Sequence, residues 1–475
     1  MSKATVEGTR ASITPAAGAR PAPAVAEVDS PRAIRALVIR LAWPSILENM
    51  LQSIFGIVTM IMVARLGPAA IAGVGASNQI IMVAMAAFFA LSMGTTVLVA
   101  HATGARNREA ARLAAKQSLV LGLGLGGLVS LLGATFAPAL LRAIGAAPEV
   151  VREGAPFLRI FALGSVFLVT GFIAGGALRG AGDTRTPMLV TLGTLVASLS
   201  LAYPLIFGRF GLPALGVAGA ALAAGLARAA GCVVLLGLLL SPRRAVSITG
   251  RGGWRPAPAP LARLVNIGLP SMFESLFRAG GMLAFSVIVF RLGTTVAAAQ
   301  QIAQQAAFFS MMPGFGFAMA ATTVVGQSLG AGKPERAWRG SLFAVRSCLA
   351  WMGGMGIVFL VGGPLIMRLF TNDREIIGLG AVALGVIALA QPGQAIGMTL
   401  AGSLRGAGDT RYPMLTTGLT MWLVRLPLAY LFGITLGLGL AGIYLGWVVD
   451  SIVLAAANFA RYRTGRWKER RVAVG

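Results

Sequence analysis

The chain has 475 residues, of which 56% are apolar and 12% charged, and its formal net charge is +25. A water-soluble core cannot hide so much apolar surface, so the composition excludes a soluble globular protein. No loop between the apolar stretches is longer than about 30 residues, which is too short for a catalytic or ATP-binding domain. We therefore predict an all-α polytopic membrane protein that is not an enzyme.

The first residues predict a tail followed by a surface helix. Residues 1–30 are rich in Ala and Pro, which is typical of a disordered cytoplasmic tail. Ser30 followed by Pro31 indicates a helix N-cap and a first-turn proline. We expect an amphipathic helix to begin there and to lie at the membrane face before the first span.

Twelve apolar segments then predict twelve transmembrane helices, six in each half of the chain. They lie near residues 41–64, 70–100, 113–140, 154–178, 187–208, 214–240, 265–290, 296–326, 338–364, 378–404, 413–434 and 438–460.

The predicted spans form two six-helix lobes. The N-terminal lobe covers residues 31–240 and the C-terminal lobe covers 263–462, with a cytoplasmic linker at 241–262 and a basic cytoplasmic tail at 463–475. With the N-terminus inside, about thirty Lys and Arg lie on cytoplasmic segments against about eight outside, which satisfies the positive-inside rule. We predict a multi-pass protein of the cell inner (plasma) membrane with both termini cytoplasmic. We attribute the basic charge to this rule and to lipid headgroups rather than to nucleic acid.

The two halves repeat one another at a constant offset of 226 residues. The sequence Leu-Arg-Gly-Ala-Gly-Asp-Thr-Arg occurs at 178–185 and again at 404–411, and Pro44 and Glu48 correspond to Pro270 and Glu274. A constant register over about 140 residues indicates a structural duplication. Because six spans per half is an even number, the lobes are related by an axis along the membrane normal.

The duplicated loop lies on the predicted cytoplasmic side, after the fourth and tenth spans. Its glycines permit a tight turn, and Asp183 is expected to accept hydrogen bonds from turn amides or from Arg179. Arg405 and Asp409 occupy the same places in the second copy. We interpret the loop as a hinge or latch rather than as a ligand site.

Charged residues inside spans are the candidate functional residues, because an uncompensated charge in lipid is costly. Glu48 follows Pro44 by four residues and Glu274 follows Pro270 in the same way, so each lies where a proline bend lets a helix line a cavity. Glu48 has the uncharged Gln52 one turn on, which favours it as the titratable, ion-coupling group. Glu274 is followed one turn on by an arginine, Arg278, so a static ion pair is an open alternative there.

Other polar residues inside spans divide into structural and cavity candidates. Arg425 and Asp450 are expected to form a structural bridge, although Arg425 could also neutralise either glutamate. His101 is expected to have a polar role at a helix end, and Cys232 and Cys348 to pack as small apolar groups. A hydrogen bond between helices would explain the presence of any one amide side chain inside a span. Several such amides lie at matching depths, however, and this favours contact with a substrate. These amides are Asn78, Gln79, Gln300, Gln304, Gln391 and Gln394.

The chain resembles the MATE (multidrug and toxic compound extrusion) family of exporters. The resemblance is carried by Val63-Ala64-Arg65-Leu66-Gly67, by Thr322-Thr323-Val324-Val325-Gly326-Gln327 and by both copies of the duplicated loop. It implies two six-helix lobes that rock around a central cleft and export organic cations or amphiphiles against H⁺ or Na⁺. Relatives carry acids that this chain replaces, with Thr59 in the first span and Gln394 in the tenth. Glu48 or Glu274 is therefore predicted to couple transport to the ion.

Together these features predict a secondary active multidrug exporter, an H⁺ or Na⁺ antiporter that works by alternating access. Its expected partners are small organic cations or amphiphilic compounds and the lipid bilayer, with no nucleic acid, no metal and no cofactor beyond the coupling ion, and it is expected to act as a monomer. Protonation of Glu48 would weaken its hold on a cationic substrate. The alternatives are a lipid-linked precursor flippase, which would need a more cationic cavity, and a non-transporting membrane scaffold.

Overall fold

The computed structural model describes residues 30–211, 213–242, 244, 246–250 and 252–469. The predicted tail up to residue 29 and the end of the predicted basic tail, 470–475, lie outside these described residues. The described chain is helical throughout its membrane part, which confirms the all-α prediction. Its helices are α1 Pro31–Ala64, α2 Pro68–Gly104, α3 Arg108–Ala143, α4 Pro148–Leu163, α5 Ser165–Gly180, α6 Arg185–Phe207, α7 Gly216–Leu239, α8 Pro258–Phe290, α9 Thr294–Gly330, α10 Pro334–Arg368, α11 Arg374–Gly406, α12 Arg411–Thr435 and α13 Gly439–Arg463.

The fourth predicted span is broken into two helices. Among the described residues, 11 single helices are long and apolar enough to cross a membrane, and α4 with α5 forms a further span bent by 48°. Counting this bent pair as one span gives 12, the number predicted from the sequence. The break falls at Gly164, where a methyl group would lie 3.7 Å from Gly225 of α7, so the bend brings α4, α5 and α7 close together.

The predicted surface helix and first span form one continuous helix of 34 residues, α1. Its N-cap is as predicted, since the Ser30 hydroxyl accepts a hydrogen bond from the Ala33 N–H at 3.2 Å. The helix passes through Pro44 without ending there. The surface helix is therefore not a separate element, because the helix continues from Pro31 to Ala64 without a break.

The prolines inside α1 and α8 free a backbone carbonyl one turn earlier, and the duplicated loop satisfies it. Pro44 cannot donate to the Arg40 carbonyl, which instead accepts a hydrogen bond from the Thr184 hydroxyl at 3.5 Å. In the second half, Thr410 donates to the Asn266 carbonyl at the same distance. The threonine of the duplicated loop thus fastens the loop to the proline bend in each lobe.

The lobes, α1–α7 and α8–α13, share further hydrogen bonds at equivalent positions. The Thr96 hydroxyl of α2 donates to the Gly176 carbonyl of α5 at 3.1 Å. Thr322 of α9 donates to the Gly402 carbonyl of α11 at 2.8 Å. The sequence repeat therefore corresponds to repeated packing.

The lobes meet where α1 packs on α9 and α2 on α8, and α2 and α9 cross at the predicted cytoplasmic end of the bundle. A methyl group at Gly104 would overlap the Gln327 carbonyl, and one at Gly330 would overlap the His101 carbonyl. Only glycine lets the two helices approach so closely.

Two hydrogen bonds, here named the interlobe latch, close this crossing. His101 Nε2 lies 2.9 Å from the Gly406 carbonyl oxygen, and Gln327 Nε2 donates to the Gly180 carbonyl at 2.7 Å. His101 and Gln327 are equivalent in the repeat, so each lobe contacts the duplicated loop of the other. The polar role predicted for His101 is therefore a contact between lobes.

The linker is fastened to the first lobe. Lys116 of α3 is buried and donates to the carbonyls of Thr249, Gly250 and Gly252 at 3.3, 2.7 and 2.7 Å. Val246 packs in the apolar core of the first lobe. Helix α8 begins at Pro258, inside the segment predicted as linker.

Candidate functional site

Glu48 is held by an arginine that the sequence analysis placed in a hinge. Arg179 Nη1, in the last turn of α5, lies 3.5 and 3.4 Å from the two carboxylate oxygens of Glu48. The Thr191 hydroxyl of α6 also donates to this carboxylate at 3.2 Å. The sequence analysis considered the uncharged Gln52 on the same helix and Arg425 as neighbours, whereas the charged partner is Arg179, because the end of α5 packs beside the proline bend of α1.

Glu274 has the same kind of partner and one more. Arg405 Nη1 lies 2.8 Å from both of its carboxylate oxygens, and Arg278 Nη2 lies 3.1 Å from Oε1. The predicted pair with Arg278 is present, while the stronger pair with Arg405 was not predicted. Glu48 and Arg179 are 131 residues apart in the sequence, and so are Glu274 and Arg405. This equal spacing in the two halves is the sequence signal that indicates the two pairs.

The two equivalent carboxylates differ in how firmly they are held. The side chain of Glu48 is 13% exposed and its bonds to arginine are long, whereas that of Glu274 is 4% exposed and has three shorter bonds. Charge-assisted hydrogen bonds weaken as they lengthen beyond about 2.9 Å. Glu48 is therefore bound by weaker contacts than its equivalent in the second lobe.

The aspartates of the duplicated loop pair with arginines from neighbouring segments. Asp183 accepts from Arg244 at 2.8 Å and from the N–H and hydroxyl of the threonine three residues on, at 3.0 and 2.7 Å. The expected bond from Arg179 is absent because that side chain is turned to Glu48. Asp409 pairs with Arg461 of α13 at 2.8 Å.

Arg425 and Asp450 form the bridge expected from the sequence. Arg425 of α12 donates through Nε to Asp450 Oδ2 at 2.8 Å and also through Nη2, and its guanidinium lies 4.7 Å from the centre of the Trp447 ring. The pair is buried. The matching helix of the first lobe, α7, contains no acidic residue, so this bridge belongs to the second lobe alone.

The amides proposed to line a cavity divide between the lobes. Asn78 and Gln79 are exposed on α2 and do not line the first-lobe cavity described below. In the second lobe, Gln391 accepts a hydrogen bond from Ser310 at 3.1 Å. Gln300 and Gln394 are also buried there, and the amide of Gln304 contacts Met282.

The first lobe contains a cavity of about 230 Å³ that brings the candidate acid together with apolar and aromatic side chains. Glu48, Gln52 and Arg179 form its polar wall towards the predicted cytoplasmic end. Among the described residues no cluster of three or more His, Cys, Asp or Glu could hold a metal ion. The remaining lining includes Phe55, Met85, Phe167, Leu168, Phe172, Thr191, Thr194, Leu195, Ser198 and Arg228.

Arg228 is a cavity residue that the sequence analysis did not single out. It lies in the middle of α7, and its guanidinium carbon is 5.5 Å from the centre of the Phe161 ring. No carboxylate of the described residues pairs with it. The signal was present, because Arg228 is an ionisable residue inside an apolar span. The repeat did not point to it, since its equivalent in the second half is the uncharged Ser451.

Comparison with known proteins gives consistent matches over most of the chain. The model of the MatE family matches twice, at residues 44–204 and 270–431. The probable multidrug resistance protein NorM of Thermotoga maritima is 34% identical over 445 residues, covering 92% of this chain and 94% of that protein. An outward-facing multidrug resistance MATE transporter of the MOP superfamily superposes with a TM-score of 0.87 at 25% identity, covering 95% of this chain and all of that one. A MATE structure in complex with the compound MaD3S gives the same score, identity and coverage.

Proposed function

This chain belongs to the MatE family of membrane transporters, and we propose that it exports small organic compounds in exchange for protons. The supporting observation is the loosely paired Glu48 at the wall of the first-lobe cavity. A proton is preferred over Na⁺ as the coupling ion because a single carboxylate is enough to bind a proton. Na⁺ needs several oxygen ligands, and Glu48 offers the only carboxylate in this cavity among the described residues.

Arg179 provides a route from the coupling group to the contact between lobes. Its side chain binds Glu48 on α1, and its own backbone carbonyl accepts a hydrogen bond from the Thr323 hydroxyl of α9 at 3.4 Å. Protonation of Glu48 removes the negative charge that orients Arg179. The proton thereby biases the equilibrium between the closed latch and a state that is open at the same end.

This scheme changes the predicted competition between proton and substrate. In the sequence-based scheme, a cationic substrate binds directly to ionised Glu48. In the fold, Arg179 already neutralises that charge, so we propose that the proton acts through Arg179 and that the substrate binds against the aromatic and Met side chains of the cavity. Amphiphilic compounds, organic cations among them, are the proposed substrates.

The test is proton-driven dye efflux from proteoliposomes that contain Glu48→Gln. We expect efflux of ethidium or rhodamine B to fall at least about ten-fold, which corresponds to the loss of one charge-assisted interaction. Glu375→Gln, a change at an exposed residue of α11, is the matched control and should leave efflux unchanged. The amount of reconstituted protein is measured for each variant.

Two results would contradict the proposal. Wild-type efflux in Glu48→Gln under an imposed pH gradient would remove this residue from coupling. Efflux that persists with a protonophore but stops without a sodium gradient would show that the coupling ion is Na⁺. No specific observation favours the alternatives of a lipid-linked precursor flippase or a non-transporting scaffold.

A further inference from the structure

We propose that Arg228 binds an anionic group of the transported compound, so that the first-lobe cavity favours amphiphiles with a carboxylate over purely cationic ones. The inference rests on the proposed export function in taking this cavity as the substrate site. It adds a substrate class and a specificity-determining residue to that function.

The charges of the cavity wall do not cancel. Glu48 and Arg179 neutralise each other, which leaves Arg228 as an uncompensated guanidinium. Among the described residues its partner is the face of the Phe161 ring, which offsets a small part of the cost of holding a cation inside a membrane protein. A ligand carboxylate would supply the missing counter-charge through charge-assisted hydrogen bonds.

A second unpaired donor lies at the same level of the cavity. Helices α6 and α7 are antiparallel, and a methyl group at Gly231 would overlap the Thr194 hydroxyl, which fixes their register. Ser198 lies about one turn beyond Thr194 towards the predicted outer end, and Arg228 lies about one turn beyond Gly231 in the same direction. Arg228 and Ser198 are therefore at the same level of the bundle. The Ser198 hydroxyl is buried, lines the cavity and makes no hydrogen bond within the described part of the chain. Two unsatisfied donors at one level suit an acceptor-only group such as a carboxylate.

The apolar lining suits the body of such a compound. Phe167, Phe172 and Met85 line the same cavity, and aromatic and Met side chains accommodate planar ring systems of differing shape. The arrangement therefore resembles a site for an aromatic compound that has an acid group at one edge.

Arg228 also departs from the internal repeat. The second lobe has the uncharged Ser451 at this position, since Leu215 and Gly219 of α7 correspond to Leu438 and Gly442 at the start of the last helix. Arg425, the buried arginine found only in the second lobe, pairs with Asp450, whereas Arg228 pairs with no carboxylate of the described residues. This difference favours a role in ligand binding for Arg228.

The experiment compares rhodamine B, which has a free carboxylate, with its ethyl ester, which is a cation of nearly the same shape. Binding of each dye to purified protein in detergent is measured by fluorescence anisotropy, and transport is measured in proteoliposomes of phosphatidylcholine. In Arg228→Gln we expect rhodamine B to bind about ten-fold more weakly and the ester to bind within about two-fold of wild type. Arg228→Lys should restore part of the lost affinity, and Ser198→Ala should weaken rhodamine B binding about three-fold.

Each outcome bears on a different claim. Equal losses for both dyes, or none, would overturn the assignment of Arg228, whatever the transport result. Wild-type protein that binds rhodamine B through Arg228 but exports neither dye would contradict the proposed function and leave the anion site standing. A lipid is the alternative source of the anionic group. The proposal fails if phosphatidylglycerol displaces rhodamine B from wild type and if Arg228→Gln weakens the binding of this lipid without changing the relative affinity for the two dyes.

Discussion

At the scale of single residues, the same sequence pattern leads to two different environments. Glu48 and Glu274 occupy equivalent places, yet the first has one loosely bound arginine and the second has two arginines in close contact. The sequence locates both acids because a charge in an apolar span is conspicuous. It does not reveal Arg179 as a partner, because that contact depends on how α5 packs against α1.

The Arg425–Asp450 bridge provides a residue-scale prediction about buried charge. Asp450→Ala should lower the unfolding free energy by roughly 3 kcal/mol, because it leaves a buried guanidinium without its counter-charge. The double variant Arg425→Leu with Asp450→Ala removes both charges and should recover at least half of that loss. The measurement is equilibrium unfolding in mixed detergent micelles. A double variant as unstable as the single one would mean that the bridge stabilises the second lobe beyond compensating its own charges.

At the scale of helices, the predicted elements and the observed ones differ where the backbone is irregular. Apolar length was enough to locate the spans, since each is longer than the bilayer requires. The break at Gly164 was not predicted because the residues on both sides are apolar, and its contact with α7 depends on tertiary packing. Helix α12 also contains two π-helical stretches, Thr420–Arg425 and Leu431–Thr435. They were not predicted, because the segment is so apolar that the spacing of its residues does not indicate a change of helix type.

The crossing of α2 and α9 provides a prediction at this scale. Gly104→Ala places a methyl group against the Gln327 carbonyl, so it should push the helices apart and weaken the interlobe latch. We expect a lower melting temperature and faster labelling of a cysteine introduced near the predicted cytoplasmic end. Gly75→Ala in the same helix is the control, because no atom lies within 4 Å of the added methyl group. Similar behaviour of the two variants would argue against a tight crossing.

At the scale of the whole molecule, the duplication determines most of the architecture. The two family matches begin at Pro44 and Pro270, the same pair of residues that defines the repeat. Repetition of the sequence predicted paired lobes, and both contain the same proline bend, loop threonine and glutamate–arginine contact. The interlobe latch could not be read from the sequence, because His101 and Gln327 are different side chains that make equivalent bonds.

An even number of spans places both termini on one side, and the basic loops predict that this side is the cytoplasm. A green fluorescent protein fused after residue 475 should therefore fluoresce, whereas alkaline phosphatase fused there should be inactive. The same reporters fused within the loop between α6 and α7 should give the opposite result. Active alkaline phosphatase at the C-terminus would reverse the assigned orientation and, with it, the direction of the proposed proton flow.

The attachment of the linker limits how the two halves can part. Gln117 of α3 donates to the carbonyls of Gly253 and Arg255 at 2.8 and 2.7 Å, and it accepts from the Ala257 N–H at 3.0 Å, one residue before α8 begins. No slack remains between the end of this tether and the first helix of the second lobe. Any separation of the lobes at this end would therefore pivot where α3 holds the start of α8, and the gap would widen with distance from that point.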